Sequence, residues 1–404
     1  MTVRVVRRLL TLTCVVLVTG SSGVAPAAAA GGPVDVTGTV ATRSAQARQS
    51  LIGADGTPLT GAGVTVAVID TGVDPTHPSF QLTGSTKVVR SLASTGCVNV
   101  ASTDTSCIAD VSPSVDTDGL TGGHGSFVSG IAAGNGLTLT DGTRVGGAAP
   151  GARLVVISAS VALIGVANAM SWVLAHHQAP CGPGVPVSVC PPIRVVNNSW
   201  GASDPTIISL QEQLAAAGVV TVWANGNQGG DGSVDQSNPA GEDPTPGILS
   251  AASYDDLGVG TTDGRISPTS SRGAASSPST WPDISAPGVN IVSSCRPAHV
   301  ICALLGTRSY NGPGPGDTGT FNTMSGTSWA AAEISGIVAQ LFQADPSATA
   351  GDIENALKST AHKYTDGAPY QAVGPYTSSF DKGTGLADAY AAALHLCPGC
   401  VSRR

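Results

Sequence analysis

Apolar residues along this chain fall into two kinds of run, and their alternation predicts the architecture. Val64 to Ile69 is a short apolar run closed by Asp70-Thr71-Gly72, which reads as a buried strand ending in a turn. A second kind recurs at helical spacing: Phe127, Val128, Ile131, Ala132 and Ala133 follow His124, and Ala330 to Ala332, Ile334, Ile337, Val338 and Leu341 follow Ser328. Leu154 to Ala175 is apolar for long enough to mimic a membrane span. It resolves into a strand at Val155-Val156-Ile157 and a buried helix over Val161 to Leu174, with Ser160, Gly165, Asn168 and Ser171 interrupting it. Strands and helices thus alternate, separated by Gly, Pro and Ser-rich loops at 92–121, 178–193, 228–247 and 305–322, with no repeat of fixed period. The expected class is α/β.

Three of these boundaries carry chemistry. Asp70 in VAVIDTGVD sits at the carboxyl end of its strand, where open α/β sheets bind ligands. His124 in GGHGSFVSG opens a helix among glycines that allow close backbone approach. Ser328 in MSGTSWAAA lies in a tight turn feeding a helix, whose N-terminal amides favour a developing negative charge. Singly, Asp70 reads equally as a turn cap and Thr327 or Ser328 as an ordinary N-cap. Together they supply an acid, a base and a nucleophile, and a serine hydroxyl needs the other two to attack a carbonyl.

The chain order Asp, His, Ser is that of subtilisin. The sequence resembles the subtilisin-like serine proteases, or subtilases, in all three segments and in VGGAAPGARLV at 145–155, VVNNSWG at 195–201 and SAPGVNI at 285–291. The resemblance runs from about Leu51 to about Leu394. It implies a three-layer αβα fold with a mostly parallel central sheet, and peptide-bond hydrolysis through an acyl-enzyme. It also implies an oxyanion asparagine after the strand Val220 to Ala224, placed at Asn227, with Asn225 as the alternative register. Ser199-Trp200-Gly201 resembles one wall of the groove that holds substrate main chain, although Trp200 reads also as core filler. Asn197-Asn198-Ser199 fits the glycosylation pattern, read here as coincidental beside an active-site strand.

Some positions depart from the family pattern. Trp329 stands where a small residue or Met is usual, Ala332 and Glu333 replace Pro and His, and Gly125-Ser126-Phe127 replaces Gly-Thr-His. None removes a catalytic atom, but a bulky indole beside Ser328 narrows the neighbouring pocket, and Glu333 on a buried face needs a partner.

Length and composition agree with a secreted protein of one large domain. Residues 1–30 read as a secretory signal, with Arg4, Arg7 and Arg8, the apolar run Leu9 to Val18, and a small-residue cleavage region ending at Ala30. Residues 31–50 are expected to form a short N-terminal segment with no room for a folded propeptide, 51–396 the catalytic domain, and 397–404 a tail. With Cys14 leaving in the signal, eight cysteines form four close pairs, expected as bridges 97–107, 181–190, 295–302 and 397–400. Cys397-Pro398-Gly399-Cys400 also has the spacing of half a zinc site or a redox motif.

Charged residues are 11% and net charge is −8, without a basic stripe, which argues against nucleic acid as a partner. The expected product is a secreted, extracellular monomer without a membrane anchor that acts on polypeptides and needs no cofactor for its chemistry. Calcium is a habit of the family that the acids Asp70, Asp74, Asp116 and Asp118 do not by themselves place. A secreted α/β-hydrolase esterase would need a Gly-x-Ser-x-Gly elbow and the order Ser, acid, His, and neither is found. An inactive subtilase-like binding protein would need a lost catalytic residue, and all four are present.

Overall fold

The apolar runs without polar alternation are strands covered on both faces. In the computed structural model, which describes residues 38–95, 104–119, 122–159 and 163–400, β1 (Thr65–Asp70) sends Val66 and Val68 to one side and Ala67 and Ile69 to the other. Each pair enters a separate hydrophobic cluster, which is why the strand reads as continuously apolar. The expected signal at 1–30, residues 31–37, Cys97 with its expected bridge to Cys107, and residues 401–404 lie outside the described residues.

The remaining strands of the main sheet are β2 (Val88–Ser94), β3 (Ile108–Val111), β4 (Arg153–Ser158), β5 (Ile193–Asn198), β6 (Val220–Ala224), β7 (Ile248–Asp255), β8 (Arg265–Ile266) and β9 (Ile284–Pro287). Their order is β8-β7-β6-β5-β1-β4-β2-β3, with β9 also paired to β7. All pairs are parallel except β7 with β8 and β2 with β3. A separate antiparallel sheet joins β10 (Ile291–Ser294), β11 (Ser309–Tyr310) and β12 (Phe321–Met324).

Helices cover both faces. On one side lie α3 (Leu163–His176) and α4 (Pro205–Ala216); on the other lie α2 (His124–Ala133), α6 (Thr327–Ala344), α7 (Ala350–Thr360) and α8 (Ala389–Leu396), with α1 (Ser44–Ser50) against α8. A short α5 (Val300–Leu304) precedes β11. This is the expected three-layer arrangement. Every residue of α6 is buried, as its length of small and apolar side chains requires of a helix enclosed on all sides. Between β1 and α6, the helix α2 is held at both ends by charge: Asp118 accepts its first amides, and the buried Lys87 ammonium donates to the Ala133 and Pro150 carbonyls at 2.6 Å each.

Two expected loops contain strands. β3 lies inside 92–121 and β11 inside 305–322; both are short edge strands with too few alternating positions to give a periodic signal. The bridges 181–190, 295–302 and 397–400 are all formed, so the CxxC pair is a disulfide. The tail is tied to the front of the domain by the Ile52 amide bonding to the Cys400 carbonyl at 2.8 Å. No helix among the described residues is long and apolar enough to cross a membrane.

Candidate active site

β1 ends at Asp70, which is 1% exposed. Its carboxylate accepts the Thr71 amide at 2.7 Å and faces the His124 ring, with Nδ1 at 2.8 Å from Oδ1 and 3.0 Å from Oδ2. Asp70 is therefore both a turn acceptor and the partner of His124. Holding Nδ1 as the donor leaves Nε2 as the basic nitrogen.

His124 is placed by its glycines. Gly123 caps α2 with φ 86°, and a Cβ there would run into the His299 ring; a Cβ on Gly125 would collide with the Gly72 carbonyl. Asp118, fully buried, bonds the amides of Gly123 (3.0 Å) and Ser126 (2.7 Å) and accepts the Thr71 hydroxyl at 2.6 Å, while Thr71 Oγ1 accepts the Gly125 amide at 2.9 Å. These contacts satisfy the orphan amides of the first turn and bind the histidine loop to the aspartate turn.

The electrostatics follow from this packing. Burial works against charging His124, but the Asp70 charge and hydrogen bond, with Asp118 beyond, outweigh it and raise the imidazole pKa above its ordinary value. Burial, with Asp70 close by, raises the Asp118 carboxyl. Behind Gly123, His299 Nε2 meets Asp116 at 2.9 Å; despite burial, their contact raises the histidine and lowers the acid.

Ser328 is the second residue of α6. Its hydroxyl donates to the Ser199 carbonyl at 3.0 Å rather than to His124. The following residue, Trp329, lies against His124 with ring centroids 5.0 Å apart and against Phe127 at 4.4 Å. The indole thus packs between α2 and α6, the helices that carry His124 and Ser328.

The two asparagines separate cleanly. Asn225 is buried and donates to the Ser271 carbonyl at 2.7 Å, whereas Asn227 is exposed and lies beside the turn that carries Ser328. Asn227 Oδ1 accepts the Thr327 amide at 2.9 Å and the Thr327 hydroxyl at 3.1 Å. With Oδ1 so engaged, Nδ2 is the end of the carboxamide left to donate.

Ser199 (5% exposed) and Gly201 (exposed) flank Trp200, whose Nε1 donates to the Ile69 carbonyl at 2.9 Å and whose ring meets Trp223 at 4.8 Å. The Trp200 side chain is therefore core filler behind β1.

The four acids named from the sequence do not fit a calcium cage. Asp70 is engaged by His124, Asp74 by Arg296 at 2.6 Å, Asp116 by His299, and Asp118 by Thr71 and the α2 amides. Among the described residues no three His, Cys, Asp or Glu side chains converge to hold a metal ion.

Sequence reasoning missed Thr71, Asp118 and His299 as supports of His124. The spacing of Asp118, shortly before a helix-opening glycine pair, was the one signal available for an anionic cap.

Known proteins resemble this chain in sequence and fold. The subtilase family (peptidase S8) profile matches residues 61–382. The chain is 27% identical to the serine protease AprX of Bacillus subtilis over 330 residues, covering 78% of this chain and 65% of AprX. It is 30% identical to fervidolysin of Fervidobacterium pennivorans over 325 residues, covering 75% of this chain but 38% of fervidolysin. Subtilisin Savinase of Lederbergia lenta shares 28% identity over 75% of this chain and 85% of its own. The crystal structure of fervidolysin superimposes with a TM-score of 0.57 at 25% identity, over 85% of this chain and 44% of that one. The chain thus spans under two thirds of AprX and of fervidolysin. The chain belongs to the subtilase family.

Proposed function

We propose that this protein is a secreted, monomeric serine endopeptidase that hydrolyses polypeptides through an acyl-enzyme. An extended substrate would lie along the main chain of Ser199-Trp200-Gly201, continuing from β5. Ser328 Oγ leaves the Ser199 carbonyl, gives its proton to His124 Nε2 and bonds to the scissile carbonyl carbon. The carbonyl oxygen becomes an oxyanion facing Asn227 Nδ2 and the Ser328 amide in the first turn of α6. His124 returns the proton to the leaving amine, and the peptide C–N bond breaks. Water then repeats the sequence on the acyl-enzyme, releasing the acid and restoring Ser328. Asp70 orients the imidazole and stabilises its cationic form throughout.

The observation that carries this reading is the bond from His124 Nδ1 to a buried Asp70, at a histidine packed on the residue next to Ser328. The resting direction of the serine hydroxyl is compatible with it, because catalytic hydrogen bonds commonly form only once substrate is bound.

The test is labelling of the signal-free protein with a fluorophosphonate, wild type against Ser328→Ala, alongside digestion of an unfolded protein. Labelling and digestion that both disappear in the variant support the reading. A folded wild-type protein that neither labels nor digests would overturn it.

A further inference from the structure

We propose that the indole N–H of Trp329 is a third donor to the oxyanion formed at Ser328, beside Asn227 and the Ser328 amide. The inference deepens the peptidase reading and rests on it.

Trp329 is 3% exposed, and its Nε1 is buried with no hydrogen-bond partner. A buried donor left unpaired is costly, and native proteins rarely keep one without a use. The ring cannot turn freely to find an acceptor, because Phe127 and His124 flank it.

Its direction is informative. A Cβ built on Gly326 would lie 3.6 Å from Trp329 Nε1, and 3.7 and 3.8 Å from Oδ1 and Nδ2 of Asn227. The indole N–H and the Asn227 carboxamide therefore border one small space, kept open because residue 326 has no side chain. Gly326 is the N-cap of α6, two residues before Ser328 in the same turn. Asn227 Oδ1 is already engaged by Thr327, so that space presents donors and no free acceptor. An oxygen that gains charge only in the transition state is the group such a space suits.

Trp329→Phe keeps an aromatic ring against Phe127 and removes the N–H with part of the indole surface. On a peptide p-nitroanilide, which has no residue beyond the scissile bond, kcat is expected to fall about tenfold with KM unchanged. Affinity for a peptide boronic acid, which forms a tetrahedral adduct with the serine, should fall by a similar factor. The indole resonance missing in the variant should move downfield when the wild type binds the boronic acid. Should Trp329→Phe fail to fold, Trp329→Tyr serves to assign that resonance.

An unmoved resonance would overturn the proposal. So would unchanged kcat and boronic acid affinity, or a loss confined to substrates extended beyond the scissile bond, which would place the donor on the leaving side. In those cases a wild type that labels through Ser328 leaves the peptidase reading standing. A wild type that binds neither fluorophosphonate nor boronic acid would overturn both.

Discussion

Ser328 and Ser199 are joined twice: Ser328 Oγ donates to the Ser199 carbonyl at 3.0 Å, and Ser199 Oγ donates to the Ser328 carbonyl at 2.9 Å. The first bond parks the hydroxyl and the second fixes the start of α6 to the end of β5. Ser199→Ala leaves the first in place and removes the second, along with the bond that Ser199 Oγ accepts from Asn197 Nδ2 at 2.9 Å. It is expected to cost about 1 kcal/mol of stability, read by urea unfolding. kcat should fall by less than about tenfold while KM holds, because the substrate-facing main chain is untouched. An unchanged kcat would make the pair a packing contact alone.

The raised pKa of His124 fixes the direction of the acid limb. The imidazole must be neutral to accept a proton, so kcat/KM should be lost as pH falls through a midpoint above 6.5. Both larger contributions that raise it come from Asp70, leaving burial to push the other way once they are gone. Asp70→Asn should therefore lower the midpoint as well as activity, the latter by roughly 10⁴-fold. A pH profile that keeps its midpoint in the variant would assign the limb to another group.

The fold was legible where a local pattern is dictated by a local cause. β1 and β4 read as buried because both faces are covered, and Asp70, His124 and Ser328 each sit at a boundary marked by glycine or threonine. What the chain hides is reach. Nothing near Ser328 names Ser199 as its partner, and nothing near Glu333 names Thr42 and Ser44, because these contacts close loops of a hundred residues and more. The substitution at Glu333 showed that a partner was needed without showing which. Trp200 turned inward for a similar reason: the direction of a side chain after a parallel strand depends on the twist of the sheet and on a neighbour such as Trp223.

The asparagine register has a direct test. Asn227→Ala should lower kcat roughly 10²- to 10³-fold with little change in KM, the loss seen when the oxyanion donor of subtilisin is removed. Asn225→Ala leaves the buried Ser271 carbonyl without its donor, so it should act on stability, by about 1–3 kcal/mol, read by thermal melting. If Asn225→Ala instead lowered kcat in a protein of unchanged stability, the roles would be exchanged.

Glu333 makes stability depend on pH in a direction that can be worked out. It is fully buried in α6, with Oε1 accepting from Thr42 at 2.8 Å and Ser44 at 3.1 Å and with Oε2 unpartnered. Burial raises its pKa from 4.5 to about 7, against the opposing pull of the two hydroxyls and Arg48. The folded state therefore holds a proton that the unfolded state has released. Below about pH 4.5 both states are protonated and Glu333 costs nothing; as pH climbs to about 7 the penalty grows, and above that it is constant at roughly 3 kcal/mol. Glu333→Gln keeps an oxygen for Thr42 and Ser44 and removes the charge. Its stability relative to wild type, measured by urea unfolding at several pH values, should rise between about pH 4.5 and 7 and then level off. Other groups titrate alike in both proteins and cancel in the difference. A difference that stays flat across this range would mean that the carboxylate is ionised at little cost, held by Arg48 and the docked N-terminal segment.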